Sequence, residues 1–353
     1  MKDITVLITA AGSPSMPGIA SCLKENGERN IYLIGTDMKV DPTIEQFVDE
    51  CVLVPAVSDE TYVDCLLKIC TEKQVDILIP GISDELILLC ERQEEFANIG
   101  TRISVSNRES IETCVNKFRF YEFVTKNGIG MPKYCAIRSL EDFDKACAYF
   151  DYPNRGFVVK TTESSGSRGV RILDPTKSRA DILFREKPNS LYTSLEDLRS
   201  ILAEAGVFPE MMAMEYLPGR EYSVDVLAED GEILYICGRE SIIVNASIPM
   251  EAELAKNEEA YEICKKVVKL LGISGNADFD FKFDAQGHPV LMEVNPRMAA
   301  TMAIFRAGGL NLLYLRVKQL LGEKLPEQIE VKYGVRMKRR YLEQFAPAET
   351  TGN

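Results

Sequence analysis

LMEVNPRM, residues 291–298, places Glu293, Asn295 and Arg297 at alternate positions at the end of an apolar stretch. Alternation with period two belongs to a β-strand. On a strand, Leu291, Glu293 and Asn295 point to one face, and Met292 and Val294 to the other. Asn295 precedes Pro296, which keeps it extended. The upstream stretch ADFDFKFD, residues 277–284, also alternates. Ala277, Phe279, Phe281 and Phe283 form an apolar set; Asp278, Asp280, Lys282 and Asp284 form a charged set. AQGH, residues 285–288, has the composition of a turn. A four-residue loop there predicts an antiparallel hairpin. In that register Asp284 opposes Pro289, Lys282 opposes Leu291, and Asp280 opposes Glu293.

Directly opposed residues carry Cβ atoms about 5 Å apart. Two carboxylates at that distance repel by roughly 3 kcal/mol at an effective dielectric near 20. Either one acid is protonated or a cation lies between them. The oxygen donors of Asp280, Glu293 and Asn295 suit Mg²⁺ or Mn²⁺. The same spacing is equally that of a half-exposed hairpin with its polar residues on the wet side.

Working outward, strand-like and helix-like stretches alternate through the first third of the chain. ITVLITAAGS, NIYLIGTD, VDECVLVP and VDILIPG read as strands; PGIASCLKENG and ETYVDCLLKICTEK read as helices. That order predicts a parallel sheet covered on both faces, in a first domain over residues 1–110. ESIETCVNKFRFYEFVTKNG reads as one helix ending at Gly128. A second unit follows over residues 111–215, with the strand GFVVK, the loop TTESSGSRG and the strand VRIL. The remainder, 216–353, carries a hairpin turning at Glu229–Gly231, the helix AYEICKKVVKLLGI, the acid-bearing hairpin, the helix NLLYLRVKQLLG and a late strand in VKYGVRMKRRYL.

Composition excludes several function classes. The chain has 353 residues, 46% of them hydrophobic, and a formal net charge of −13. That charge repels nucleic acid and anionic membrane. No stretch reaches the about 18 apolar residues of a membrane span, and the N-terminal apolar run is too short for a signal peptide. Ten cysteines without a C-x-x-C pair fit reduced thiols in a cytoplasmic protein. The single histidine, His288, sits in a turn and reads as surface. Chemistry resting on histidine is thereby excluded; carboxylates, lysines, arginines and backbone amides remain.

MEVNPRM, read with NADFDF before it, resembles the end of the nucleotide site in the ATP-grasp superfamily. The similarity is greatest to single-copy relatives of the carbamoyl-phosphate synthase large subunit and spans about residues 1–325. It implies an α/β (α+β) ATP-grasp fold: a Rossmann-like pre-ATP-grasp domain, a small lid and a larger ATP-grasp domain, with ATP between the last two. By this resemblance Asp280, Glu293 and Asn295 are metal ligands for Mg²⁺ (or Mn²⁺), and Arg297 faces the group being transferred. NKFRF places Lys117 at the α-phosphate, and FVVK places Lys160 at the α/β-phosphates. The loop with Ser165, Gly166 and Ser167 folds over the β/γ end. It holds fewer glycines than is usual in the family. MEYLPGREYSVDV resembles the adenine hinge, with Glu215, Tyr216 and Leu217 at the ring and Glu221 at the ribose. Met212, Met214 and Tyr216 share a face that is either core or a purine cover.

The activity implied is a carboxylate–amine ligase working through an acylphosphate, on small-molecule substrates; family members are often dimers, which makes a homodimer one of the arrangements left open. Two alternatives are a non-catalytic ATP sensor and an NAD(P)-dependent oxidoreductase. The latter rests on the strand–glycine-turn–helix start and on Asp37, although AAGSPSMPG is not a G-x-G-x-x-G fingerprint. AAGSPSMPG and GISDE, residues 81–85, are expected to help bind the second substrate. Arg239 and Arg306 are either anion anchors or ordinary salt-bridge partners, and Lys338–Arg340 reads as a solvated strand edge.

Overall fold

The computed structural model describes residues 1–39, 42–163, 168–245, 248–341 and 343–345. Its first unit runs β1 (Ile4–Thr9), α1 (Met16–Lys24), β2 (Ile31–Asp37), β3 (Glu50–Leu53), α2 (Tyr62–Lys73), β4 (Ile77–Ile79), α3 (Leu86–Glu91), α4 (Gln93–Asn98) and β5 (Arg102–Ile103). The strands form a parallel sheet in the order β3-β2-β1-β4-β5. Val6 and Ile8 of β1 pack with α1, while Leu7 packs with α2 and α3 on the other face. Burial on both faces is why these strands are apolar throughout rather than alternating.

Two helices lead out, α5 (Arg108–Val115) and α6 (Lys117–Lys126). The single helix expected here is broken at Asn116, whose backbone is extended and whose side chain accepts from the Arg119 amide at 2.9 Å. An N-cap in mid-sequence restarts the helix, and Lys117 becomes the first residue of α6.

The next unit comprises β6 (Tyr134–Ile137), α7 (Leu140–Tyr149), β7 (Phe157–Thr161), β8 (Arg171–Leu173), α8 (Arg179–Arg185), α9 (Leu195–Ala205) and β9 (Met211–Glu215). The sheet is antiparallel, in the order β6-β9-β7-β8. Phe157, Val159 and Ala213 face α7 and α9. Met212 and Met214 face the other way, onto Phe120 and Tyr121 of α6. Both methionines are buried there, and Met212 shares its sheet face with Lys160.

The last unit holds β10 (Glu221–Glu229), β11 (Glu232–Asn245), β12 (Ile248–Leu254), α10 (Glu258–Leu271), β13 (Gly275–Phe283), β14 (Pro289–Asn295), α11 (Met302–Ala307), α12 (Leu312–Leu320) and β15 (Arg336–Lys338). Its antiparallel sheet has the order β14-β13-β10-β11-β12-β15. One face, with Val224, Val226, Phe279 and Phe281, packs on α10 and α6. The other, with Leu227, Cys237, Ala252 and Leu254, packs on α11, α12 and the first unit. Among the described residues no helix is long and apolar enough to cross a membrane.

The acid-bearing hairpin keeps one expected pairing and shifts the rest. Phe283 opposes Pro289, Lys282 opposes Val290 and Phe281 opposes Leu291. The register then slips at Met292, and Asp280 opposes Glu293 while Asp278 opposes Asn295. The connection is one residue longer than a four-residue loop, and a β-bulge at Met292 restores the pairing. The bulge also turns Leu291 into the core beside Val294. Leu291 thus does not share the polar face of Glu293 and Asn295.

Candidate active site

Cross-strand partners in an antiparallel sheet share a face. Two rows of such partners cross the large sheet. Glu293, Asp280, Ser223 and Arg239 form one; Asn295, Asp278, Asp225 and Cys237 form the next. Seven of these eight side chains are polar. Ser223 Oγ donates to Asp280 Oδ1 at 2.7 Å, and Asn295 Nδ2 approaches Asp280 Oδ2 at 3.5 Å. Burial first, and then the charges of Asp278 and Glu293, push the Asp280 carboxyl up to about 8.

Deeper in the sheet, Arg239 is 3% exposed and Asp225 0% exposed. Arg239 Nη2 lies 3.3 Å from Asp278 Oδ1, and its Nε 3.6 Å from Asp225 Oδ2. Asp225 accepts no hydrogen bond among the described residues. Its burial and the neighbouring Asp278 hold its carboxyl well above the usual range. Arg297 Nη1 lies 3.6 Å from Asp278 Oδ2 and donates to the Met298 carbonyl at 2.9 Å.

Two lysines meet these acids from the opposite side. Lys117 Nζ is 3.8 Å from Glu293 Oε2. Its amide donates to the Thr162 carbonyl at 2.9 Å, which ties the start of α6 to the end of β7. Lys160, on β7, is 6% exposed, with Nζ 5.1 Å from the centre of the Tyr121 ring. Burial pushes its ammonium down to about 8; Glu293 opposes that shift and Lys117 adds to it. Two cations and two acids thus converge from separate elements.

Ser165, Gly166 and Ser167 lie outside the described residues. The segment ends meet where Thr161 Oγ1 donates to the Arg168 carbonyl at 3.3 Å. At the hinge, the Glu215 amide donates to the Lys133 carbonyl at 2.9 Å, and its Oε2 accepts from the Lys133 amide at 3.4 Å. Leu217 is buried. Tyr216 lies under Lys282, whose Nζ is 6.0 Å from the ring centre. Glu221 is exposed, opposite Lys282, at 3.8 Å from Nζ.

Other nominated residues serve the fold. Asp37 accepts from the Gly12 amide at 2.9 Å, at the close approach of the β1–α1 turn to the end of β2. Glu85 of GISDE is fully buried and accepts from Thr9 Oγ1 at 2.6 Å and from the Gly81 and Ile82 amides at 2.9 and 3.1 Å. Arg306 pairs with Glu25 at 2.9 Å, between α11 and α1. His288 is an exposed partner of Glu259 at 3.1 Å. Ser223, Asp225 and Asp278 were not singled out from the sequence. EYSVDV carries the signal, since Ser223 and Asp225 alternate with Val224 and Val226.

The donor set fits a magnesium ion that arrives with a nucleotide. Asp280 and Glu293 face each other and Asn295 adjoins them. Among the described residues no group of three or more His, Cys, Asp or Glu side chains could hold an ion. Magnesium takes one or two carboxylates and completes its octahedron with water and phosphate oxygens.

A four-stranded sheet and a larger antiparallel sheet, facing each other across lysines and acids, are the ATP-grasp architecture, here behind a parallel N-terminal sheet. Residues 207–343 match the family "ATP-grasp in the biosynthetic pathway with Ter operon", and residues 6–104 match the "PylC-like, N-terminal domain". The chain carries an ATP-grasp domain and a PylC-like N-terminal domain. Over 251 residues it is 25% identical to the carbamoyl phosphate synthase large chain of Clostridium acetobutylicum, covering 68% of this chain and 21% of that one. The chain thus spans about a fifth of that relative's length. Among solved structures, N5-carboxyaminoimidazole synthetase from Staphylococcus aureus complexed with ADP superposes with a TM-score of 0.68 at 17% identity, covering 93% of this chain and 80% of that one. Biotin carboxylase from Campylobacter jejuni superposes with a TM-score of 0.67 at 17% identity, covering 93% and 73%. At these identities the superpositions define the fold.

Proposed function

We propose that the protein is an ATP-dependent, ADP-forming ligase that joins a small carboxylate to an amine-type acceptor through an acylphosphate. Its working parts are the units 1–110, 111–215 and 216–353, with ATP between the last two. The observation that carries this reading is the approach of Lys117 and Lys160, from the lid side, to the Asp280–Glu293 pair, with Lys117 Nζ 3.8 Å from Glu293.

In this reading Lys117 and Lys160 hold the α- and β-phosphates, and the segment containing Ser165, Gly166 and Ser167 covers the β/γ end. Glu215, Tyr216 and Leu217 border the adenine, and Glu221 the ribose. Asp280, Glu293 and Asn295 hold Mg²⁺, which neutralises charge on the β- and γ-phosphates when bound. Arg297 stabilises the charge on the transferring phosphoryl group. A carboxylate oxygen of the substrate, such as bicarbonate or an amino acid, attacks the γ-phosphorus; the γ–β bridge breaks and ADP leaves. The acceptor nitrogen then attacks the acyl carbon, loses a proton, and expels phosphate. Positioning and electrostatics supply the rate, so no histidine is needed.

The test is an ADP-release screen with Mg·ATP against amino acids, bicarbonate and small carboxylates, beside Glu293→Gln. Substrate-dependent ADP release absent from the variant is expected. Tight ATP binding with no release under any substrate would make the protein a nucleotide sensor instead.

A further inference from the structure

Asn116 both ends α5 and starts α6, and its side-chain amide is held on two sides. Its Oδ1 accepts from the Arg119 amide at 2.9 Å, and its Nδ2 donates to Glu163 Oε1 at 2.8 Å. A backbone N–H needs an acceptor and a carboxylate needs a donor, so the partners fix which way the amide points. One residue on, the Lys117 amide donates to the Thr162 carbonyl at 2.9 Å. Two adjacent residues at the helix start thus grip two adjacent residues directly after β7. Thr162 is 3% exposed and is itself anchored: its amide and its Oγ1 both donate to the Glu210 carbonyl at 3.1 Å.

Capping alone does not call for asparagine at 116. Aspartate and serine cap a helix about as well. Among the three, only asparagine carries an acceptor and a donor on separate atoms, one for the helix and one for Glu163. Aspartate would set a second carboxylate against Glu163. Glu163 raises a question of its own, since it is an exposed acid close to two lysines proposed to hold phosphates. Its charge by itself opposes a polyphosphate there. Its hydrogen bond to Asn116 gives it a use that the charge does not. Lys117 lies on α6 and Lys160 on β7, and the two rungs at 116–163 and 117–162 join those elements.

We infer that Asn116 and Glu163 are positioning residues, whose hydrogen bond ties α6 to β7 and so holds the Lys117 and Lys160 ammonium groups at the separation that a nucleoside diphosphate spans. The inference rests on the placement of both lysines at the phosphates in the reading above, and on the Asn116–Glu163 geometry for the link. Neither residue touches the nucleotide. Combining Asn116→Asp with Glu163→Gln exchanges donor and acceptor, which keeps the bond, the net charge and the cap on the Arg119 amide.

The test uses the full chain and its Asn116→Asp, Glu163→Gln and Glu163→Ala variants, with the doubles Asn116→Asp/Glu163→Gln and Asn116→Asp/Glu163→Ala. Calorimetry measures binding of Mg·ADP and of adenosine, and thermal melts run beside it. Asn116→Asp should bind Mg·ADP about fivefold more weakly or worse, the loss of about one hydrogen bond. Glu163→Gln keeps an acceptor and should bind more tightly than Glu163→Ala. The first double should recover most of the loss and the second should not, although the two carry the same charge. Adenosine, which offers the lysines no phosphate, should bind alike in every protein. Equal affinities of Glu163→Gln and Glu163→Ala, or equal recovery in the two doubles, would reduce the effect to charge and overturn the inference. So would Asn116→Asp without a loss, or a loss on adenosine as large as that on Mg·ADP. With Mg·ADP still bound by the unmodified protein, those results leave the nucleotide reading standing. Melting temperatures that follow the exchange, in a protein that ignores Mg·ADP, would leave a bond that serves the fold alone and sink both the positioning role and the nucleotide reading.

Discussion

Replacing Asp280 with asparagine should stabilise the ligand-free protein while removing its response to magnesium. Burial, Asp278 and Glu293 raise Asp280 from 3.8 to about 8. A rise of about four units sets an upper limit near 5 kcal/mol on the cost of ionising it in the fold. Glu293, directly opposite at about 5 Å, contributes about 3 kcal/mol at an effective dielectric near 20. Taking the smaller figure, Asp280→Asn should raise the melting temperature by roughly 5 °C in a chain of this size. Asparagine keeps the volume and still accepts from Ser223 Oγ, now 2.7 Å from Oδ1. The sign fixes the pH window. A carboxyl raised in the fold binds its proton more tightly there than in the unfolded chain. Stability therefore falls as pH rises from about 4 to about 8 and is level above. The gain from Asp280→Asn should be small near pH 5 and full near pH 9. Thermal melts in EDTA at both pH values, repeated with Mg·ADP, measure it. An equal gain at the two pH values, or a loss at pH 9, would refute the electrostatic account of this site.

Three further outcomes follow from neighbouring residues. Lys160 is held near 8 by burial, so below that pH it is already an ammonium. Calorimetry in two buffers should show Mg·ADP binding take up about one proton near pH 9, and Lys160→Met should abolish the uptake; uptake unchanged in that variant excludes Lys160 as its source. Arg239→Leu leaves Asp225 buried without its guanidinium partner and Asp278 with Arg297 alone, and should destabilise by about 3–5 kcal/mol. The double variant with Asp225→Leu should lose less in a denaturant melt, and equal losses would show that the pairing does not matter. Gly238 lies where a Cβ would overlap the Tyr222 hydroxyl, which donates to the Ala255 carbonyl at 2.9 Å. Gly238→Ala should destabilise by about 3 kcal/mol, and Tyr222→Phe should recover part of that in thermal melts; no recovery would place the strain elsewhere.

Local pattern carried much of the fold. Period two in residues 277–284 and 291–295 marked the hairpin, and the strand–helix alternation of the first 100 residues marked the parallel sheet. The Asp280–Glu293 pairing was legible only because a longer loop and the Met292 bulge offset one another. Neither leaves a residue signature in a stretch without glycine at the bulge. Asn116 splits a helix with no proline or glycine to announce it. The Arg239–Asp225–Asp278 cluster was out of reach for a different reason. Asp225 and Asp278 become neighbours because β13 pairs with β10 across the 52 residues between them, and strand order is not a local property. Arg339, whose Nη2 donates to the Ala300 carbonyl at 2.8 Å, looked like its solvated neighbours because alternation alone does not say which face of an edge strand is covered.

The central claim is that Asp280 and Glu293 oppose Lys117 and Lys160 across the seat of a magnesium-bound nucleotide. Calorimetric titration of ADP with and without Mg²⁺, in the unmodified protein and in Asp280→Asn/Glu293→Gln, tests it most directly. Magnesium should tighten ADP binding in the unmodified protein and have no effect in the double variant. The same tightening in both proteins would contradict the account.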